Sequence, residues 1–495
     1  MLLESVAFLS EQSISFRGHR EDRSDLTNLS DENRGNFLEV LSLRSRDNEF
    51  LKSRLKSTLL WLSPSCQNEM IEIIGSACLE RNVSEITSQI QSEGSPYAVI
   101  CDETSDISRH EQFSLCISYI DKSGQKKETF LKFVKVDSTS GESFTLSENL
   151  LKLSLDPNQC VGLALDGASN MSAKNKGLAN RMKEISPLSV YIHCHGHLLN
   201  LAVKDTLSCV KILKDSLGTV QSLYNFIEAS PKRHAIYMKV ENNAESGFIR
   251  VLKSQSVTRW TCHYEAVRAV SEEFERVILS LNHIENDETS DSKTTSQAKA
   301  LLLNILDFEF VFGVELLNVI LIQTSKLSSY LQSKKVDIRT ARLQANLVIK
   351  VLEMMRGEDE FNRLFEKTEK IIKTTEDLLK QKEIDYEIRP AKISRRSKFS
   401  GDIKQFYRVT NYYEGLDKLV KELQMRFAGK GQETLTHLAT MIFDRDVQDE
   451  TFEAVSKFYS LDLDILKADH KLFLNYKHKL EKQDMTPWDR SVSVV

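Results

Sequence analysis

Two stretches of this 495-residue chain carry carboxylates to places where chemistry can be done. Ala98-Val99-Ile100-Cys101-Asp102 and Val161-Gly162-Leu163-Ala164-Leu165-Asp166 are runs of strand-forming residues, and each ends on an aspartate before a polar turn. A carboxylate at the tip of a buried strand is costly unless something satisfies it. Two such tips on adjacent strands put two carboxylates side by side, which suits a divalent cation and phosphoryl transfer. Asp102 and Asp166 are therefore the candidate catalytic acids and metal ligands. The plainer reading stands beside it: an aspartate after a strand often only caps the next helix or turn. Glu103 and Asp106 read as solvated turn residues.

The elements that must position these acids follow from the hydrophobic pattern. Tyr97–Cys101 reads as a short buried strand, Phe113–Ile120 as a second and Lys126–Val136 as a third, with Asp121-Lys122-Ser123-Gly124 as turn chemistry between the last two. A helix over Ser143–Leu153 leads to a strand over Cys160–Leu165. A helix over Lys176–Ile185, a strand over Ser189–Cys194 and a helix over Leu198–Leu207 follow. A three-strand meander and then strand–helix alternation describe a mixed α/β sheet with helices on its faces. Residues 1–95 read as helical, with a polar loop from Gly18 to Arg34. Residues 206–430 read almost wholly as helix. Ala341–Met355 is the clearest case, with Leu343, Leu347, Val348, Val351 and Leu352 on one face. Breaks fall at Glu285–Thr295 and Ile388–Gly401. The expected division is a helical region at 1–95, the sheet domain at 96–205, a helical insertion at 206–430 and a helical remnant at 431–495.

Composition bounds the function. With 41% hydrophobic and 28% charged residues the chain is ordinary globular material for more than one core. Only 18 Gly and 7 Pro favour long helices. A net charge of −5 excludes a general polycation, so any nucleic-acid surface is a local patch. Eight cysteines without a CxxC read as reduced buried thiols. No signal peptide is visible at the start. The most apolar run, near Val311–Ile322, holds Glu315 and Asn318 and is too short to span a bilayer. A cytosolic or nuclear protein without a membrane partner is expected.

Three further groups invite functional readings. His193, Cys194, His195 and His197 suggest zinc, closed by partners such as Cys262 and His263, but their spacing matches no standard finger. Strand-end packing, with His197 capping the next helix, accounts for them equally. Arg259 can hold a phosphate or pair with Glu265, and Trp260 can be a core residue. The basic stretch Arg389–Lys398 suits phosphates or nuclear import, or is a solvated loop.

The ordered motifs Cys101-Asp102-Glu103-Thr104-Ser105-Asp106, Leu165-Asp166-Gly167-Ala168-Ser169-Asn170, His193-Cys194-His195-Gly196-His197-Leu198 and Thr258-Arg259-Trp260 resemble the hAT superfamily of cut-and-paste transposases. Phe16-Arg17-Gly18-His19-Arg20 and Asn33-Arg34-Gly35-Asn36-Phe37 are similar to the branch that includes MYM-type zinc-finger proteins and a THAP-domain repressor. The resemblance implies a ribonuclease H-like sheet interrupted by a large all-α insertion. It implies three acids holding two divalent ions, Mg2+ or Mn2+, with Asp102 first and Asp166 second. It implies DNA contact by Trp260, stacked on a base, beside Arg259, and by Cys194 and His197 next to the site. The family's third acid, a glutamate in a serine-rich motif, has no match; Glu433, Glu450 and Glu453 sit in no convincing context. The family's zinc finger would precede Met1 and its dimerisation segment would follow Val495.

The expectation is a nuclear transposase-derived protein, domesticated or decayed, without strand-transfer activity. It would keep a scaffold for DNA and for protein partners, the latter through insertion faces such as Leu327, Tyr330 and Leu331. Homo-oligomers are expected only in longer relatives. The alternative is a metal-dependent transposase completed by sequence outside this chain.

Overall fold

The computed structural model describes residues 1–18, 33–56, 61–93, 96–105, 110–135, 142–165, 178–240, 250–253, 261–333, 338–393, 399–427 and 433–482. Two compact units divide the chain. The first is essentially 1–161 with 184–187; the second is essentially 162–183 with 188–489.

The first unit opens with helices α1 (Leu2–Glu11), α2 (Asn36–Ser45), α3 (Glu49–Leu55) and the long α4 (Pro64–Glu93). Val6, Leu9, Phe37, Leu38 and Leu41 form their shared core. The two N-terminal motifs meet here. The Phe37 N–H donates to the Phe16 carbonyl at 3.0 Å. Gly35 has a φ of +98° and lies so close to Gly18 that a Cβ would stand 2.6 Å from the Gly18 nitrogen, so both backbone freedom and lack of a side chain are required. The buried Arg34 is held by Glu39 at 2.9 Å.

Strands β1 (Tyr97–Ser105), β2 (Glu111–Ile120) and β3 (Lys126–Lys135) form an antiparallel meander. Alternation drives it: Tyr97, Val99 and Cys101 are buried on β1, and Phe113, Leu115 and Ile117 on β2. Asp121 closes the turn between β2 and β3, accepting from the Ser123 and Gln125 N–H groups at 2.9 Å each. The Tyr97 hydroxyl donates to the Asp156 carbonyl at 2.9 Å, which ties the start of β1 to the turn before β4 (Cys160–Leu165). Helix α5 (Glu142–Lys152) precedes that turn. β5 (Val190–His193) pairs parallel to β4, and the sheet order among the described strands is β3-β2-β1-β4-β5. The expected mixed sheet is therefore present. β1 is four residues longer than its apolar run, because β2 pairs with it as far as Ser105–Glu111.

In the second unit, α6 (Leu178–Ile185, most of it) and β5 lead to α7 (His195–Cys209), α8 (Lys211–Glu228), α9 (Pro231–Lys239), α10 (Thr261–Glu272), α11 (Phe274–Glu285), α12 (Ser292–Ile305) and α13 (Phe308–Leu331). Then come α14 (Ile338–Met355), α15 (Glu358–Gln381), the short α16 (Ile403–Tyr407), a π-helical turn (Arg408–Tyr413) and α17 (Glu414–Phe427). Aspartates fix two of the starts. Asp291 accepts from the Lys293 and Thr294 N–H groups and Asp307 from the Glu309 N–H, replacing bonds the first turn cannot make. The expected loop after Glu285 is thus shorter than the polar composition suggested, since α12 already starts at Ser292.

α13 is the spine of this unit. At 24 residues it is, by length and composition alone, apolar enough to cross a membrane, so the bound read from Val311–Ile322 was too short. Its apolar side chains are core: Phe312, Leu316, Leu317 and Ile320 are fully buried. Phe308, Phe312, Phe361, Phe365 and Tyr407 interlock, with Tyr407 5.0 Å from both Phe308 and Phe312 at steep ring angles. Each such pair adds about 1 kcal/mol beyond burial. Leu327, expected on a partner surface, is 2% exposed in the same core.

α18 (Glu433–Phe443), α19 (Asp449–Tyr459) and α20 (Leu463–Lys482) build a small separate cluster around Met441, Phe452 and Val455. Among the described residues the eight cysteines are unbridged. Only Cys101 and Cys160 are buried, and Cys78, Cys194 and Cys209 are exposed, against the expectation of buried thiols.

Candidate functional site

Asp102 lies inside β1, opposite Ser114 of β2, and not at a strand tip. Its neighbour Cys101 points into the core, so alternation turns the Asp102 side chain outward, where it is exposed. The Ser114 hydroxyl donates to the Asp102 carbonyl at 3.3 Å. Glu103, expected in a turn, is paired with Phe113 in the strand. β4 ends on the fully buried Leu165. Asp166, Asp106, Arg259 and Trp260 all lie outside the described residues. Glu265, the acid considered for Arg259, is paired with Lys253 at 3.2 Å.

The junction of β5 and α7 is described in full. The Cys194 N–H donates to the Leu165 carbonyl at 3.0 Å, and Cys194 is the N-cap residue of α7, with its thiol exposed and making no cap. His197 therefore sits within the first turn and does not cap the helix, because the helix begins two residues earlier. The His193 and His197 rings stack, 5.4 Å apart and tilted by 28°. His195 stacks on Phe427 of α17 at 5.7 Å. The buried Nε2 of His193 has no hydrogen-bond partner. Burial first, then His197, Arg426 and His195, pull its pKa down to about 4, so the ring is neutral at physiological pH.

α17 supplies the charge at this junction. Arg426 pairs with Glu422 at 3.0 Å and with Asp205 of α7. Glu422, almost fully buried, also receives Lys418 at 2.8 Å. Burial pushes the Glu422 carboxyl up, but Lys418 and Arg426 outweigh it and bring it below its ordinary value. The cluster was missed from sequence, although Lys418, Glu422 and Arg426 at spacings of four are a visible signal. The late acids Glu433, Glu450 and Glu453 are exposed on α18 and α19, in the small C-terminal cluster.

Metal fit follows from the donor set. Among the described residues no three His, Cys, Asp or Glu side chains are grouped to hold an ion. The stacked His193 and His197 rings pack on one another. Of the two acids expected to hold Mg2+ or Mn2+, Asp102 is exposed on β1 and Asp166 lies outside the described residues, while a two-ion centre takes several carboxylates. The basic stretch is partly committed: Arg389 binds Asp307 at 2.9 Å and the Leu303 carbonyl at 2.8 Å. Residues 394–398 lie outside the described part.

Comparison with known proteins bears on this arrangement. Residues 1–177 match the model of the DUF4371 family, described as the ZMYM1/FAM200 RNase-like domain. Residues 192–308 match the ZBED1 RNase-like helical domain. These two matches support the hAT-derived resemblance of the sequence motifs. The chain is 23% identical over 350 residues to the human "52 kDa repressor of the inhibitor of the protein kinase", covering 68% of the chain and 44% of that protein. It is 23% identical over 382 residues to the mouse protein of the same name, covering 74% and 48%. The chain thus spans about half the length of the curated relatives it matches.

Proposed function

We propose that this transposase-derived protein is a nuclear binding scaffold that does not carry out strand transfer. The observation that carries the reading is Glu422. Among the described residues it is the acid of the late helices that is buried beside α7, and it is committed to Lys418 and Arg426. A carboxylate neutralised by two cations is a structural tie. Curated relatives are named as repressors, a role that a binding protein can fill, which supports the scaffold reading. In this reading the sheet is of the ribonuclease H type, which its strand order and its split into antiparallel and parallel pairs support. Arg259 and Trp260, with Cys194 and His197, then serve as DNA contacts, and Asp102 and Asp166 remain as an inherited acid pair.

The test incubates the full chain with hairpin and branched DNA and with Mg2+ or Mn2+. The expected result is DNA retention that weakens with salt and in Trp260→Ala, with no product beyond the metal-only control. Metal-dependent cutting abolished by Asp102→Asn would overturn the reading in favour of an active transposase.

A further inference from the structure

α20 (Leu463–Lys482), the last described helix, has two apolar faces. One packs on the small cluster of Met441, Phe452 and Val455 through Leu463, Leu466 and His470. His470 is fixed there: its Nε2 donates to the Met441 carbonyl at 2.7 Å, and its ring stands edge-on to Phe452 at 5.1 Å. The other face is open. Ile465, Leu472 and Tyr476, at i, i+7 and i+11, form one stripe and are 62%, 68% and 63% exposed, with Phe473 exposed at its edge. An amphipathic helix needs one apolar stripe to meet a core, and here that stripe is already used. A second, solvent-facing stripe with a polar rim marks an interaction surface.

The charge along α20 says what covers it. Residues 461–470 carry three aspartates against one lysine, and residues 471–482 carry four lysines against one glutamate. The lysine of the first half, Lys467, is committed to Asp449 of α19 at 2.6 Å. A parallel copy of the helix would set acid on acid and base on base. An antiparallel copy sets each acidic half on a basic half. A foreign helix would need this polarity in reverse, whereas a second copy has it by symmetry, because a two-fold axis pairs the same patch with itself. Ala468, exposed and small, lets the helices approach.

We propose that a second copy of this chain covers the stripe, α20 against α20 and antiparallel. Ile465 then faces Tyr476 of the second copy, and Asp469 lies beside Lys471 of the second copy. The contact uses neither the sheet acids nor DNA, so its failure and the failure of the scaffold reading are separate results. Three helical turns per copy bury less than about 1,200 Å² in total, the range of weak specific contacts.

The test is sedimentation equilibrium of the full chain, without DNA and with reductant, up to about 200 µM. A monomer–dimer equilibrium with a dissociation constant of about 10 µM is expected. Leu472→Glu, and independently Ile465→Glu, are expected to weaken it about tenfold or more. Asp469→Lys alone and Lys471→Asp alone are expected to weaken it about threefold, and the double variant to restore it, because the swapped charges still face each other. Circular dichroism and a melting temperature show that each variant folds. The proposal is overturned if the wild-type chain stays monomeric throughout, or if Leu472→Glu and Ile465→Glu dimerise as well as wild type. It is also overturned if neither single charge change weakens the dimer, or if the double variant is no tighter than the singles.

Discussion

Glu273→Ala is expected to destabilise the helical unit more than any surface change. Glu273 and Arg276 form a buried pair, 2.9 Å apart, with side chains only 4% and 6% exposed. Arg276 also donates to the carbonyls of Tyr237, at 3.3 Å, and Val240. The other oxygen of Glu273 accepts from the Arg250 N–H at 3.1 Å, and the Tyr237 hydroxyl donates to the Arg250 carbonyl at 2.8 Å. One network therefore pins both flanks of segment 241–249. Removing the carboxylate leaves a buried cation and an unpaired N–H. Breaking such a pair from one side costs about 3–5 kcal/mol. For a unit of this size that corresponds to a melting-temperature drop of about 4–7 °C. Glu273→Gln keeps an acceptor and is expected to lose about half as much. The double change Glu273→Leu with Arg276→Met is expected to recover part of the loss, because no charge is left buried, but not all, since two carbonyls lose their donor. Thermal unfolding followed by circular dichroism reads these values. A loss below about 1 kcal/mol for Glu273→Ala would refute the assignment of the pair as a buried tie.

Other expectations are as direct. The pKa of His193 falls from 6.5 in the unfolded chain to about 4 in the fold, so the unfolded state binds the proton first as pH falls. Its contribution is complete above pH 6.5 and disappears between 6.5 and 4. After discounting for partial exposure it is worth about 2 kcal/mol, and His193→Gln should flatten the stability profile in that window. Gly313→Ala would set a Cβ 2.0 Å from the Ser216 hydroxyl oxygen and 3.2 Å from Ile212, where α13 meets α8. A loss of about 1–3 kcal/mol in urea unfolding is expected. Gly35→Ala, forced into a positive φ against the Gly18 backbone, is expected to destabilise the N-terminal unit by about 2 kcal/mol, read as a lower melting temperature.

Much of the fold was legible because its signals are local. β4 is the Cys160–Leu165 run that the apolar residues marked out. β1 was read short because Glu103 and Thr104 are not apolar; pairing with β2 extended it, and that is a tertiary effect. α14 shows a second limit. Its helical period was plain, yet Leu343, Leu347 and Val351 are exposed while Ala341, Ala345, Ile349 and Leu352 face the core. Periodicity identifies adjacent apolar stripes but does not rank them, and small alanines let a neighbouring helix approach closely. At the candidate site, the His193–His197 run falls at the β5–α7 junction. The charge there comes from Asp205 and Arg426, more than two hundred residues apart, and no local pattern joins them.

The most direct test of the central claim is a Mn2+ titration of the full chain, read by electron paramagnetic resonance, on wild type and Asp102→Asn. The account predicts at most one weakly held ion, with no gain from added DNA. Two tightly held ions that vanish together in Asp102→Asn would contradict it.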